Sequence, residues 1–139
     1  MQQDKVAILI KTASLEFEKI SNPYFAEYEL TAAQYRILKY LYAQSSGTAR
    51  VVDLEKYYST THPTTLGLLD YLEKKGFIER VDNPNDGRGK LVALTDKAQK
   101  MRDTLISLGD VIEDKLTEHL TKREKEQLTS LLLKLLNRG

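Results

Sequence analysis

The residues with the most chemistry to offer lie between Tyr58 and Lys90. A turn through Tyr58-Ser59-Thr60-Thr61-His62-Pro63 leads into Leu68-Leu69-Asp70-Tyr71-Leu72-Glu73-Lys74-Lys75-Gly76, whose leucines recur at helical spacing. Two strand-like runs follow, Phe77 to Val81 and Leu91 to Thr95. A tip rich in Gly, Asn and Pro lies between them and carries Asp86-Gly87-Arg88-Gly89-Lys90. A single helix fits the major groove of duplex DNA. A guanidinium on a neighbouring hairpin fits the minor groove, where narrow A·T-rich segments concentrate negative potential. Arg88 is the leading candidate for that contact, Asp86 is placed to brace it, and Lys90 is a candidate phosphate contact.

On the helix from Pro63 to Lys75, the side chains expected to face away from the core are Thr64, Leu66, Gly67, Asp70, Tyr71 and Lys74. The candidate DNA-contacting set is His62, Thr64, Thr65, Leu66, Gly67, Tyr71 and Lys74. Thr64 can donate or accept, Leu66 can meet a thymine methyl, and Tyr71 can reach a phosphate. His62 and Thr61 stand at the helix start, where unpaired N–H groups also favour phosphate. Thr65 is counted twice, because it also falls on the apolar stripe with Leu68, Leu69 and Leu72. Arg36, Lys39, Arg50 and Lys56 are further candidates for the DNA backbone.

Other chemistries find little support. The chain has no cysteine, which excludes disulfides, thiolate catalysis and Cys-zinc sites. Its two histidines, His62 and His119, are far apart, so no metal site and no cofactor are expected. There is no phosphate-cradling Gly-rich motif and no nucleophile elbow, and the carboxylates lie on polar faces among lysines. No catalytic residue is assigned. The net charge is only +1. Residues 31–95 hold nine Lys/Arg and seven Asp/Glu, against twelve and thirteen elsewhere. A field that attracts DNA must therefore come from local placement.

The elements that position these residues follow from periodicity. Asp4 to Ser21 should be an amphipathic helix, with Val6, Leu9, Ile10, Ala13, Phe17 and Ile20 on its stripe and Asn22-Pro23 ending it. Thr31-Ala32-Ala33-Gln34 is a capping box that opens a second helix, which runs through Tyr42 and is broken by Ser45-Ser46-Gly47-Thr48. A short helix from about Val52 to Tyr58 precedes the one that starts near His62 or Pro63, and Gly76 caps the latter in the left-handed conformation. Thr95 caps a long helix from Asp96 to about His119. Thr121-Lys122-Arg123-Glu124 is a second capping box, opening a last helix with Leu128, Leu131, Leu132, Leu135 and Leu136.

The fold class is thus mainly α with a small β-hairpin wing: a winged helix-turn-helix with N- and C-terminal dimerisation helices. Residues 1–139 are read as one domain, with 31–95 as the DNA-binding lobe and 1–30 and 96–139 as the helical dimerisation region. The terminal helices carry apolar stripes without an obvious place on the central lobe, so pairing with a second copy is expected. No apolar run approaches the length of a membrane span, and the N-terminus lacks the layout of a secretion signal; a cytoplasmic location is expected.

These features resemble the MarR family of bacterial transcription regulators. Leu69-Asp70-Tyr71-Leu72-Glu73-Lys74-Lys75-Gly76-Phe77-Ile78-Glu79-Arg80 is similar to the end of the family's recognition helix and its first wing strand. Asp86-Gly87-Arg88 resembles its wing motif, and Leu94-Thr95-Asp96-Lys97-Ala98 its exit from the wing, with Ala98 replacing the usual glycine. The resemblance implies a homodimer on a pseudo-palindromic operator in double-stranded DNA. It also implies a cleft for a small-molecule effector, and Phe17, Tyr24, Phe25, Tyr28 and Tyr42 would suit a small aromatic one. The chain departs from the family at Leu66-Gly67, where relatives usually carry Thr and then Arg. That loss and the near-neutral charge motivate an alternative reading, a winged-helix module that binds protein and has little DNA affinity.

Overall fold

A computed structural model describes residues 3–138, with the side chains of residues 86–88 outside the described set. The chain forms two compact units, one from residues 21–108 and the other from residues up to 20 and from 109 onward.

The larger unit begins within helix α1 (Val6–Ala26). The helix does not stop at Asn22-Pro23; Pro23 lies inside it. Proline removes the hydrogen bond to the carbonyl four residues back, but Pro23 and Lys19 are exposed, so water can serve that carbonyl. The helix closes where Glu29 turns left-handed, at φ 60°. Glu29 N–H then reaches the Ala26 carbonyl and Leu30 N–H the Phe25 carbonyl. Helix α2 (Ala32–Ala43) opens on the expected capping box: Thr31 Oγ1 accepts from Gln34 N–H and the Gln34 side chain accepts from Thr31 N–H.

Helices α3 (Val51–Tyr58) and α4 (His62–Lys74) follow, and α4 ends at Gly76 with φ +81°. The sheet has the order β1-β3-β2, all antiparallel, from β1 (Thr48–Ala49), β2 (Ile78–Asn83) and β3 (Asp86–Leu94). Strand β1 was not expected. It adds two residues to the edge of the hairpin, pairing Thr48 with Ala93 and Ala49 with Val92.

Thr95 caps α5 (Asp96–Lys100) as expected, accepting from Ala98 N–H. The single long helix foreseen from Asp96 is broken at Met101, where α6 (Arg102–Leu116) takes over. The break is slight, since Met101 N–H still reaches the Lys97 carbonyl and Leu105 N–H the Met101 carbonyl. Phe25, Leu38, Leu41, Leu54, Leu69, Leu72, Phe77, Val92 and Leu105 are fully buried and form the core of this unit.

Tyr42 links α2 to α5 by donating its hydroxyl hydrogen to the Ala98 carbonyl at 2.6 Å. Burial, reinforced by nearby Tyr35, pushes its pKa up to about 12. An unfolded tyrosine ionises near 10. This contribution to stability is therefore complete below pH 10 and lost as pH rises from there through about 12. Tyr42→Phe should flatten the alkaline limb of a pH–stability profile followed by denaturant titration.

In the smaller unit, helix α7 (Lys122–Leu135) starts with its predicted capping box, Thr121 exchanging hydrogen bonds with Glu124. Lys125 of α7 lies 3.4 Å from Glu113 of α6. No residue of α7 is buried, and Leu128, Leu131, Leu133, Leu135 and the following Leu136 are exposed. Val6, Ile8, Leu9 and Leu15 of α1 are exposed as well. Among the described residues, no helix is long and apolar enough to cross a membrane.

Candidate nucleic-acid interface

The approach of α3 to α4 is fixed by a threonine-rich turn. Ser59 adopts a left-handed conformation, φ 53°, which closes α3 and releases the chain toward α4. Thr61 caps α4, its Oγ1 accepting from Thr64 N–H and donating to Thr64 Oγ1. Thr65 donates to the Thr61 carbonyl at 3.0 Å and pairs with Thr60 Oγ1 at 2.8 Å. Pro63 stands in the first turn, where its missing N–H costs nothing.

This network places the expected residues unequally. His62, Thr64, Gly67, Asp70 and Lys74 are exposed along one side of α4, and Leu66 is half-buried. Thr65 is buried at 1% exposure, so its side chain locks the turn instead of facing a groove. Its place on the apolar stripe prevails over its place in the contact set. Tyr71 is half-buried, and its hydroxyl donates to the Glu29 carbonyl at 2.6 Å. Gly67 stands in open space: a Cβ built there meets nothing within 4 Å. Gly67→Ala should therefore raise stability by about 1 kcal/mol, the ordinary difference in helix propensity, measured by urea denaturation.

The wing is a two-stranded antiparallel ribbon with Arg80 opposite Val92, Val81 opposite Leu91 and Asp82 opposite Lys90. Lys90 is ion-paired with Asp82 across the ribbon, and this bond holds the Asp82 carboxyl below its ordinary pKa. Lys90 thus stays on the exposed edge but carries a local counterion. Asp86 and Arg88 lie in β3, with Asp86 opposite Asn83, and their side chains fall outside the described residues.

The more distant cations differ. Arg50 makes a two-pronged bond to Asp53 at 2.9 and 3.0 Å, which raises its pKa and lowers that of Asp53. Arg36 lies over the Tyr58 ring at 4.3 Å. Lys39 and Lys56 are exposed. Arg80, which sequence reasoning passed over, reaches Asp70 of α4 at 3.4 Å and joins wing to helix. Its signal was the alternation of β2: Arg80 shares a face with buried Ile78, while Glu79 points away. Glu55 was also missed. It meets His62 across the turn, seven residues on, a spacing that no single-helix rule singles out.

The aromatic residues considered for an effector divide. Phe25 is fully buried and stacked on Tyr35, with ring centroids 4.2 Å apart, and Tyr42 is buried and bonded to Ala98. Tyr24 and Tyr28 are half-buried in the larger unit, and Phe17, also half-buried, belongs to the smaller one. A separate cavity of about 110 Å³ opens between α2, α3 and α4, against Arg36, Ile37, Leu54, Tyr58, Thr64 and Leu68.

Two helices joined by a tight capped turn, the second exposing a polar face beside an antiparallel ribbon, define a winged helix-turn-helix protein. Comparison with known proteins narrows this class. The model for the MarR family matches residues 30–90. The multiple antibiotic resistance protein MarR of Escherichia coli strain K12 is 33% identical over 129 residues, covering 92% of this chain and 88% of that protein. A mutant E. coli MarR complexed with operator DNA has a TM-score of 0.82 at 32% identity, covering 94% of this chain and 93% of that one. The S. aureus MepR–DNA complex has a TM-score of 0.83 at 28% identity, covering 99% and 100%. The chain belongs to the MarR family of transcriptional regulators.

Proposed function

We propose that this chain binds a pseudo-palindromic operator as a homodimer in the cytoplasm, with no catalytic step. The observation that carries the reading is the exposed face of α4, from His62 through Thr64, Gly67 and Asp70 to Lys74, held at a fixed angle by the buried Thr65 network. In each copy α4 enters a major groove and the β2–β3 ribbon lies over the adjacent minor groove, with Arg88 at its tip. The operator-DNA complex of a relative about one-third identical supports this over a module that binds only protein. Residues 31–95 serve as the DNA-binding lobe of a single functional domain. The apolar faces of α1 and α7 supply the contact between copies, since an exposed leucine row of this kind is stable in water only when covered.

A small aromatic effector is part of the same proposal, with Tyr24 and Tyr28 as the residues of the larger unit that the core leaves over from the original five. Such a ligand acts only through different affinity for the DNA-competent and incompetent arrangements of the two lobes.

Salt dependence tests the reading. Binding to duplex DNA measured by fluorescence anisotropy should weaken with a log–log slope of about −0.9 for each phosphate neutralised. A flat salt response would favour the protein-binding alternative.

A further inference from the structure

Resting on the reading of α4 as the recognition helix, we propose that Glu55 is a positioning residue. It holds His62 so that the imidazole Nε2 accepts a hydrogen bond from an exocyclic amine, cytosine N4 or adenine N6, in the major groove.

Glu55 works at both ends of the turn. Its backbone carbonyl takes the N–H groups of Ser59 and Thr60 and so closes α3. Its carboxylate bonds Nδ1 of His62, the first residue of α4. The two side chains differ in exposure: Glu55 is 19% exposed and His62 is 63% exposed. A sheltered carboxylate therefore anchors a ring that stands in solvent. That ring gives up its rotational freedom on folding, so less remains to be lost on binding.

The anchor also selects the tautomer. A carboxylate oxygen only accepts, so a hydrogen sits on Nδ1, and in the neutral imidazole the lone pair then lies on Nε2. An acceptor at the front of a recognition helix finds complementary donors in the major groove only on cytosine and adenine. Guanine and thymine present acceptors there and are rejected. The neighbouring hydroxyls are less free, since Thr61 donates to Thr64 and Thr65 is buried.

The test uses the full-length protein and the duplex that the wild type selects from random DNA. Each half-site base pair is changed in turn, and affinities are measured for wild type, His62→Ala, Glu55→Ala and Glu55→Gln. At one position the wild type should prefer cytosine or adenine by about five- to tenfold. His62→Ala should erase that preference. Glu55→Ala should erase it too, with the histidine still present, while Glu55→Gln should keep it, because the amide oxygen still accepts from Nδ1–H. The double alanine variant should lose no more discrimination than either single one. Erasure by His62→Ala but not by Glu55→Ala would reduce Glu55 to a fastener of the turn and overturn the proposal. So would an even loss of affinity across all bases with a shallower salt slope, which marks a phosphate contact. If the wild type selects no duplex, the reading of the chain as a DNA-binding protein falls and this proposal with it.

Discussion

With Leu131 and Leu135 of α7 both changed to aspartate, the protein should sediment as a monomer and lose its grip on operator DNA. These side chains are 63% and 57% exposed within one copy, so the substitution removes little internal packing and the monomer should keep its helical circular dichroism. In a two-fold dimer each change is felt twice. Burying a leucine contributes about 1.5–3 kcal/mol, and an unpaired carboxylate placed in an apolar contact adds a further penalty. The combined loss exceeds what an ordinary dimer contact tolerates. Sedimentation velocity read alongside anisotropy gives both results on one sample. A variant that remains dimeric would move the interface away from α7.

Arg88→Ala should lower duplex affinity by about 1–3 kcal/mol while leaving the dimer intact. A guanidinium offers charge and a donor fork suited to an A·T-rich minor groove, where the potential is most negative. Its removal should weaken A·T-flanked sites more than G·C-flanked ones and make the salt slope shallower by about 1. Competitive anisotropy with the two duplexes provides the comparison. Equal affinity of wild type and variant would remove the wing from the mechanism, leaving α4 alone to hold the DNA. Lys90 is expected to matter less, because Asp82 already offsets its charge.

Much of this architecture was legible because local signals were self-consistent. Thr31 with Gln34, and Thr121 with Glu124, are reciprocal pairs whose geometry leaves one interpretation, and both form as read. Gly76 announced its left-handed cap because glycine is the usual residue there. Glu29 does the same work with a side chain that carries no such signal, so the closure of α1 was harder to place; Ser59 carries none either, yet α3 ends at Tyr58 as read. Pro23 reads as a stop in isolation, yet the buried Phe25 and Leu30 beyond it hold the helix together at a modest cost on the wet side. Strand β1 is two residues long, too short for alternation to register, and exists only because β3 offers an edge.

The candidate interface was legible as a surface but not as a network. Helical spacing placed Thr64, Gly67, Asp70 and Lys74 on the exposed side of α4, as observed, together with Leu66 and Tyr71, which are half-buried. It could not show that Thr65 turns inward to bind Thr60 and Thr61, that Tyr71 spends its hydroxyl on Glu29, or that Arg80 reaches back to Asp70. These are contacts between elements, and a turn or a sheet register decides them. The Leu66-Gly67 departure keeps its interest in three dimensions, since the open space at Gly67 leaves room for a larger side chain.

Selection of bound fragments from random duplex DNA by the intact protein is the most direct measurement. The account predicts enrichment of an inverted repeat, its half-sites centred about one helical turn apart, roughly 10 base pairs, with A·T-rich flanks. Recovery of no common sequence, or of an unpaired single half-site, would contradict it.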